Sequence, residues 1–399
     1  MWTLLTALLA GHGPVALPKP SEPVAEVAYE FADGRLERVA DSSFALPAEG
    51  PLEPLVVRFE RPMSAIPERS AGLARAELQL VGGERLIGEL AGGSGDLLEV
   101  TLVGEVRVPL SIDALLSLRF PERLGSEDAA AVERPAEGDR LYRRVGDRLD
   151  RLDGFVEAFD AEGVRFESLV GSKQVPWTDV GALFIEPLGA DEGVAISPRR
   201  VALDLINGSR LMGELGRADA AGVSLDLAGG TAVRLPIDAL LRLSVLDGRL
   251  AYLSELPPSR FEGGSAFGDE LGLVWQPRID RCVEGGALLA GNRRAPRGIG
   301  VMAPTTLEWE LEPDWSVLRG AVAVDASVRR LGLEGSVRFR VLVDGELRFE
   351  SDWLGASRGP VELPGIALQG ARRLRLEAEM GPDYNAGDRA DWLDLRLVR

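Results

Sequence analysis

The chain is expected to be all-β, with tandem small five-stranded barrels followed by a C-terminal jelly-roll β-sandwich. Three observations carry that expectation. Apolar and charged residues alternate over many short runs, and a block of 45 positions recurs. The 399 residues also hold 47 glycines and 25 prolines, with aromatics at only 6%. Strict alternation is the period of a strand with one buried face. Glycine and proline are the residues that turn a chain between such strands.

Met1–Ala10 (MWTLLTALLA) is an apolar run ahead of the proline-rich Gly11–Pro23. Residues 1–17 are therefore expected to be a secretory signal peptide, although the basic start usual for one is missing. No other run approaches the ~20 apolar residues of a membrane span. The expected location is outside the cytoplasm: periplasmic, cell-surface or secreted. Residues 24–72 follow as a small β region with strand-like pieces at Val27–Phe31 and Leu55–Phe59.

The repeat is the firmest feature. Ala76–Phe120 and Val201–Val245 align without a gap at an offset of 125, with 18 identities in 45 positions. Ile112-Asp113-Ala114-Leu115-Leu116 recurs whole as Ile237-Asp238-Ala239-Leu240-Leu241. A weaker third copy lies between them, where Gly154 and Asp179 keep the spacing of Gly88 and Asp113. Within a copy, Leu78 and Leu80 alternate with Glu77 and Gln79. Gly82-Gly83 and Asn207-Gly208 are expected to form two-residue hairpin turns. Gly88 and Gly213, inside the next strand, suit a bend or a close backbone approach. Each copy then resembles a small Sm-like or SH3-like barrel, at residues 75–121, 141–187 and 200–247. The recurring Asp113, Asp179 and Asp238 each precede an apolar run, so a turn or capping role is expected of them. Pro121–Asp139 and Pro187–Pro198 read as solvated linkers.

Residues 252–399 alternate most cleanly, at Leu307–Leu311, Val337–Val343 and Leu374–Ala378. Charged outer faces of this kind mark antiparallel sheets open to water on one side. In the closing strand Leu393, Leu395 and Leu397 are expected on one face, with Trp392, Asp394 and Arg396 on the other. Trp309, amid leucines, is expected in the core.

Composition excludes several functions. A net charge of −18 argues against nucleic acid, which is held by clustered Lys and Arg. The only histidine is His12, inside the expected leader, so the rest of the chain has none for a Ser-His-Asp triad or a histidine metal site. Cys282 stands alone, which excludes an internal disulfide. With 63 acidic residues, some pair always lies at glycosidase separation, so acids are poor evidence for hydrolysis. The chain reads as non-enzymatic.

A family resemblance sharpens this. Tyr252-Leu253-Ser254-Glu255-Leu256, Arg297–Pro304 (RGIGVMAP), the strand pair Val337–Val343 and Leu347–Ser351 across Asp344-Gly345, and Ala390-Asp391-Trp392 stand in the order of a known module. The segment Tyr252–Arg399 resembles the glycosyl hydrolase family 98 putative carbohydrate-binding module, NPCBM. The resemblance implies a galactose-binding-like jelly roll that binds glycans. Family members commonly carry histidine where this chain has Met302 and Arg389, and a second acid after the position of Asp325. Rings stack on sugar C–H faces, which makes Trp275, Trp353, Tyr384 and Trp392, in or beside loops, further candidates. The loop carrying Asp383, Asn385, Asp388 and Asp391 offers oxygens for a structural calcium ion; a network of Asx turns would use the same residues.

The expectation is thus an exported, non-catalytic protein recognising a neutral, galactose-type glycan. A rival reading makes it a structural or assembly protein whose sandwich binds a separate protein partner and whose repeats are spacers. A third makes it the accessory chain of a separate hydrolase.

Overall fold

Strands form nearly everywhere the alternation predicts them. The computed structural model describes residues 23–61, 75–125, 128, 131–187, 197–227, 231–264, 274–382, 384 and 386–399. The expected signal peptide lies outside these residues. Among them, no helix is long and apolar enough to cross a membrane.

The first copy supplies the strands Arg75–Leu80, Arg85–Ser94, Leu97–Thr101, Arg107–Ser111 and Leu115–Arg119. The middle copy supplies Asp139–Val145, Arg148–Phe159, Gly163–Ser168, Gly171–Pro176 and Val180–Phe184. The third supplies Arg200–Leu205, Arg210–Asp219, Gly222–Leu227, Ala232–Leu235 and Leu240–Val245. In every copy the first strand pairs with both the second and the fifth. The fourth pairs only with the third, so among the described residues no copy closes into a barrel. That corrects the expected closed units.

The strands bond across copies instead. Val180–Phe184 pairs with Leu115–Arg119, and Val56–Glu60 of the N-terminal region pairs with Leu240–Val245. One core runs through all three copies and the N-terminal region. Joining open sheets edge to edge hides strand edges that separate units would expose.

The repeated glycines serve close approach. A Cβ on Gly88, Gly154 or Gly213 would lie 2.5, 1.9 or 2.3 Å from the carbonyl oxygen of Thr101, Glu167 or Asp226 on the adjoining strand. The hairpin turns differ from expectation. Gly83 donates to the Leu80 carbonyl and Leu80 to that of Glu84, and only Gly83 takes positive φ. Leu205–Ser209 repeats this pattern, so each connection has three residues with one left-handed glycine.

The C-terminal half is a two-sheet sandwich. One sheet holds Arg278–Ile279, Gly298–Met302, Arg389–Val398 and Val317–Val324 in that order. The other holds Arg260–Gly263, Thr305–Glu310, Arg373–Met380, Val337–Val343 and Glu346–Glu350. Trp309 lies in the core between them, as expected, with Leu307, Phe339 and Leu376.

The closing strand breaks its own alternation. Asp394 has φ 51°, and the register to Val317–Val324 slips between Arg319 and Ala321, where Gly320 has φ 149°. This bulge reverses the faces. Trp392 therefore joins Leu395 and Leu397 in the core, while Leu393 packs outside the sheet with Cys282.

The bulge also turns Asp394 and Arg396 toward the repeats. Asp394 accepts from Arg242, and Arg396 meets Glu30. The Tyr252 hydroxyl lies 2.9 Å from Ser244 Oγ, and the Arg297 guanidinium covers the Tyr252 ring at 4.1 Å. These contacts gather at one end of the first sheet and leave its other end clear.

Candidate functional site

The clear end is where the sequence-derived candidates converge. Met302 is paired with Arg389, Val324 with Ala390, and Val337 with Met380. Thr305 lies between Gly263 and Ala378, and a bridge joins Val337 to Leu354. The loops leaving these strand ends carry Trp275, Asp325, Trp353 and Tyr384. The fold thus brings to one rim segments separated by more than a hundred residues.

Three rings stand at the surface there. Trp275, Trp353 and Tyr384 are 46%, 41% and 62% exposed. The Arg338 guanidinium lies 4.8 Å from the Trp353 ring centroid, which stiffens that ring, and its N–H groups pair with Glu379 and Glu350. Tyr384 has φ 63°, a left-handed backbone uncommon for a non-glycine residue. Such conformations cluster where function or surrounding structure demands them.

Below the rim the polar candidates are engaged with the protein. Asp325 accepts from the Ser327 and Leu289 amides, each at 2.9 Å, and caps the short helix Ala326–Leu331. Asp388 accepts from Ser336 N at 2.6 Å and Gly381 N at 3.2 Å, fastening the Tyr384 loop to its neighbour. Arg389 donates to Ser327 Oγ at 2.9 Å and pairs with Glu284. Asp391 is wholly buried. Burial first, and then the charge of Asp325, hold its carboxyl well above the usual range. Cys282 lies nearby, with its thiol also pushed up by burial and Asp325.

Met302 is half-buried, with its carbonyl accepting from the Thr305 hydroxyl. Trp392 does not reach the rim; it packs edge-on against Phe339 with centroids 5.1 Å apart. Asp325, Arg389 and Trp392, glycan-binding candidates by sequence, are thus buried. Asp383 and Asn385 lie outside the described residues. Among the described residues, no three His, Cys, Asp or Glu side chains gather as metal ligands.

Sequence reasoning missed Leu331 and Leu333, which are exposed at the same end. Their signal is an apolar pair set among glycines, Leu331-Gly332-Leu333-Glu334-Gly335, with no alternating partner. It also missed Arg338, whose place on an alternating strand gave no hint of the ring beside it.

Several solved structures resemble the chain. CBM51 from Clostridium perfringens GH95, in complex with methyl-galactose, is 22% identical; the match covers 37% of this chain and 99% of that one, with a TM-score of 0.33. CBM51-2 with the INT domains of Clostridium perfringens ZmpB, in complex with GlcNAc, is 20% identical over 57% of this chain and 45% of that one, at 0.34. The tandem CBM51 modules of Sp3GH98, the family 98 glycoside hydrolase of Streptococcus pneumoniae SP3-BS71, are 12% identical over 94% and 99%, at 0.31. No curated protein matches the chain. The sandwich is where a family is recognised: residues 249–398 match the NPCBM/NEW2 domain, a family of carbohydrate-binding modules.

Proposed function

We propose that the C-terminal sandwich binds a neutral, galactose-type glycan weakly at the rim bearing Trp275, Trp353 and Tyr384. We place it in an exported, non-catalytic protein. The observation that carries this reading is the exposure of three rings at one end of a domain that matches a carbohydrate-binding family. A ring covers the apolar face of a sugar. A shallow site exchanges water for sugar hydrogen bonds at little net gain. Affinity is then expected near ~0.1–1 mM, or ~4–5.5 kcal/mol. The net charge of −18 disfavours acidic polysaccharides.

Asp388 accepts from two backbone amides and Asp391 is wholly buried, so the proposal places no cation against the sugar, and chelation is expected to leave binding unchanged. Calorimetric titration of the full chain with galactose-type sugars tests the reading. Trp275→Ala, Trp353→Ala and Tyr384→Ala are each expected to weaken binding by about tenfold, from ~1–1.5 kcal/mol per ring contact. Failure to bind any neutral glycan would favour the second reading, in which Leu331 and Leu333 at the same end form part of a protein-binding patch.

A further inference from the structure

The joint between the repeats and the sandwich is held differently at its two margins. It runs along one end of the first sheet. There Asp280, Arg297, Asp394 with Arg396, and Arg319 follow one another on or beside the four strands. At the Arg319 margin, Arg319 and Arg396 converge on Glu30. The apolar cluster of Leu55, Val56, Leu250, Tyr252 and Val398 seals that margin. The Leu55 amide also donates to the Glu30 carbonyl at 2.8 Å.

The Asp280 margin is held by polar contacts. Arg281 donates to Glu77 of the first copy at 3.1 Å, and Arg294 to the Ile206 carbonyl of the third at 3.2 Å. Arg210 donates to Glu255 at 2.7 Å. Arg297 Nη1 lies 2.9 Å from the same carboxylate, out of hydrogen-bond alignment. Arg85 Nε, Arg210 Nε, Asp204 Oδ2 and the Arg297 nitrogens are enclosed with no hydrogen-bond partner. Such groups recover hydration when the margin parts, so little opposes its opening.

Asp280 faces this set. Its Oδ1 accepts from the Gly298 amide at 3.0 Å, and its φ of 54° is left-handed. Glu77, Glu84 and Arg85 belong to the first copy's side, Asp204 and Arg210 to the third's, and Arg281, Arg297 and Glu255 to the sandwich's. Burial pushes the Asp280 carboxyl up to about 6, against the Gly298 amide and Arg210. Burial raises Asp204 as well. An ionised Asp280 is penalised in a closed joint and relieved in an open one. Opening is therefore favoured as pH rises from about 4 to about 6, and levels off above that. Glu30, held at about 2, keeps its charge throughout this range, so its margin stays shut.

We infer that the joint is a hinge pinned at Glu30, whose Asp280 margin is closed in mild acid and opens locally toward neutral pH. Opening turns the ring-bearing rim of the sandwich relative to the repeats and leaves the rim itself unaltered.

Hydrogen exchange of the full chain, corrected for the intrinsic rate, reads the opening on peptides covering Leu205–Arg210 and Arg293–Gly298. Their protection is expected to fall about tenfold between pH 5 and pH 7, while the Leu55 amide keeps its own. Asp280→Asn cannot ionise, yet asparagine suits a left-handed backbone and still accepts from Gly298. In that variant protection is expected to be equal at both pH values. Glu77→Gln removes the Arg281 ion pair, so it is expected to lower protection at both values and keep the tenfold fall. Wild-type protection that does not fall overturns the inference, whether or not either variant folds. So does an equal fall in Asp280→Asn, a matching fall at Leu55, or loss of the pH dependence in Glu77→Gln.

Discussion

Arg396 and Glu30 stand 366 residues apart and meet as a buried ion pair. Arg396 Nη2 lies 2.5 and 2.7 Å from the two Glu30 oxygens, and Nε lies 3.1 Å from one of them. Arg58 adds a contact at 2.6 Å and Arg319 one at 3.4 Å. Burial alone would push the Glu30 carboxyl up, but Arg396 and then Arg58 outweigh it and hold the group at about 2. The pair clamps the N-terminal region to the sandwich.

Because the folded value lies below the ordinary 4.5, the stability from Glu30 is present above about pH 4.5. It is lost as pH falls through about 2 and amounts to about 3 kcal/mol. Glu30→Gln leaves three arginines around a neutral amide and is expected to cost about 3 kcal/mol near neutral pH. The variant should also show a flatter acid limb. Urea unfolding across the acid range reads both effects, and an unchanged limb would mean that another group sets it.

Asp391 has the opposite sign. Its folded value is raised by burial and Asp325, so its stability is complete below the ordinary carboxylate range and lost as pH rises through the raised value. Asp325 and Cys282 act on it. Asp391→Asn cannot ionise, and at alkaline pH it is expected to be more stable than wild type by about 1–3 kcal/mol. Paired melts at neutral and alkaline pH measure the difference.

Gly154 has the closest approach of the three repeated glycines, 1.9 Å from an added Cβ to the Glu167 oxygen. Backbone on both sides leaves no flexible atom to yield. Gly154→Ala is expected to cost about 3 kcal/mol, with Gly213→Ala and Gly88→Ala nearer the lower part of the ~1–3 kcal/mol range for overpacking. Thermal unfolding should rank them in that order.

The two tryptophans that sequence placed together separate in their effects. Trp392→Ala empties a core position against Phe339 and is expected to cost about 3–5 kcal/mol. Trp275→Ala, at an exposed ring, should melt within about 0.5 kcal/mol of wild type while losing sugar affinity. A sugar titration beside each melt distinguishes support from contact.

The strand content and the sandwich were legible because alternation at Val337–Val343 and Leu374–Ala378 is a local signal. The identity between Ala76–Phe120 and Val201–Val245 likewise showed the copies. It did not show that Val180–Phe184 bonds to Leu115–Arg119, since pairing between strands of different copies leaves no period in either. The faces of the closing strand were misread for a related reason. A bulge at Asp394 adds one residue, and with a period of two that reverses every position beyond it. At the rim, sequence found the loops, because aromatics and acids are conspicuous there. It did not tell Tyr384 from Asp388, because direction follows from backbone conformation and the neighbouring loop's amides.

The closing strand sits in the middle of its sheet, between Gly298–Met302 and Val317–Val324, and this orders events during synthesis. At ~5–20 residues per second, Arg396 is made about 20–70 s after Glu30. Through that interval the sandwich lacks its central strand, and Glu30 has only Arg58 close at hand in sequence. The repeats can assemble while the ribosome works, but the sandwich waits for its final ten-residue strand. Ribosome stalling within those residues should therefore leave folded repeats joined to a protease-sensitive C-terminal half.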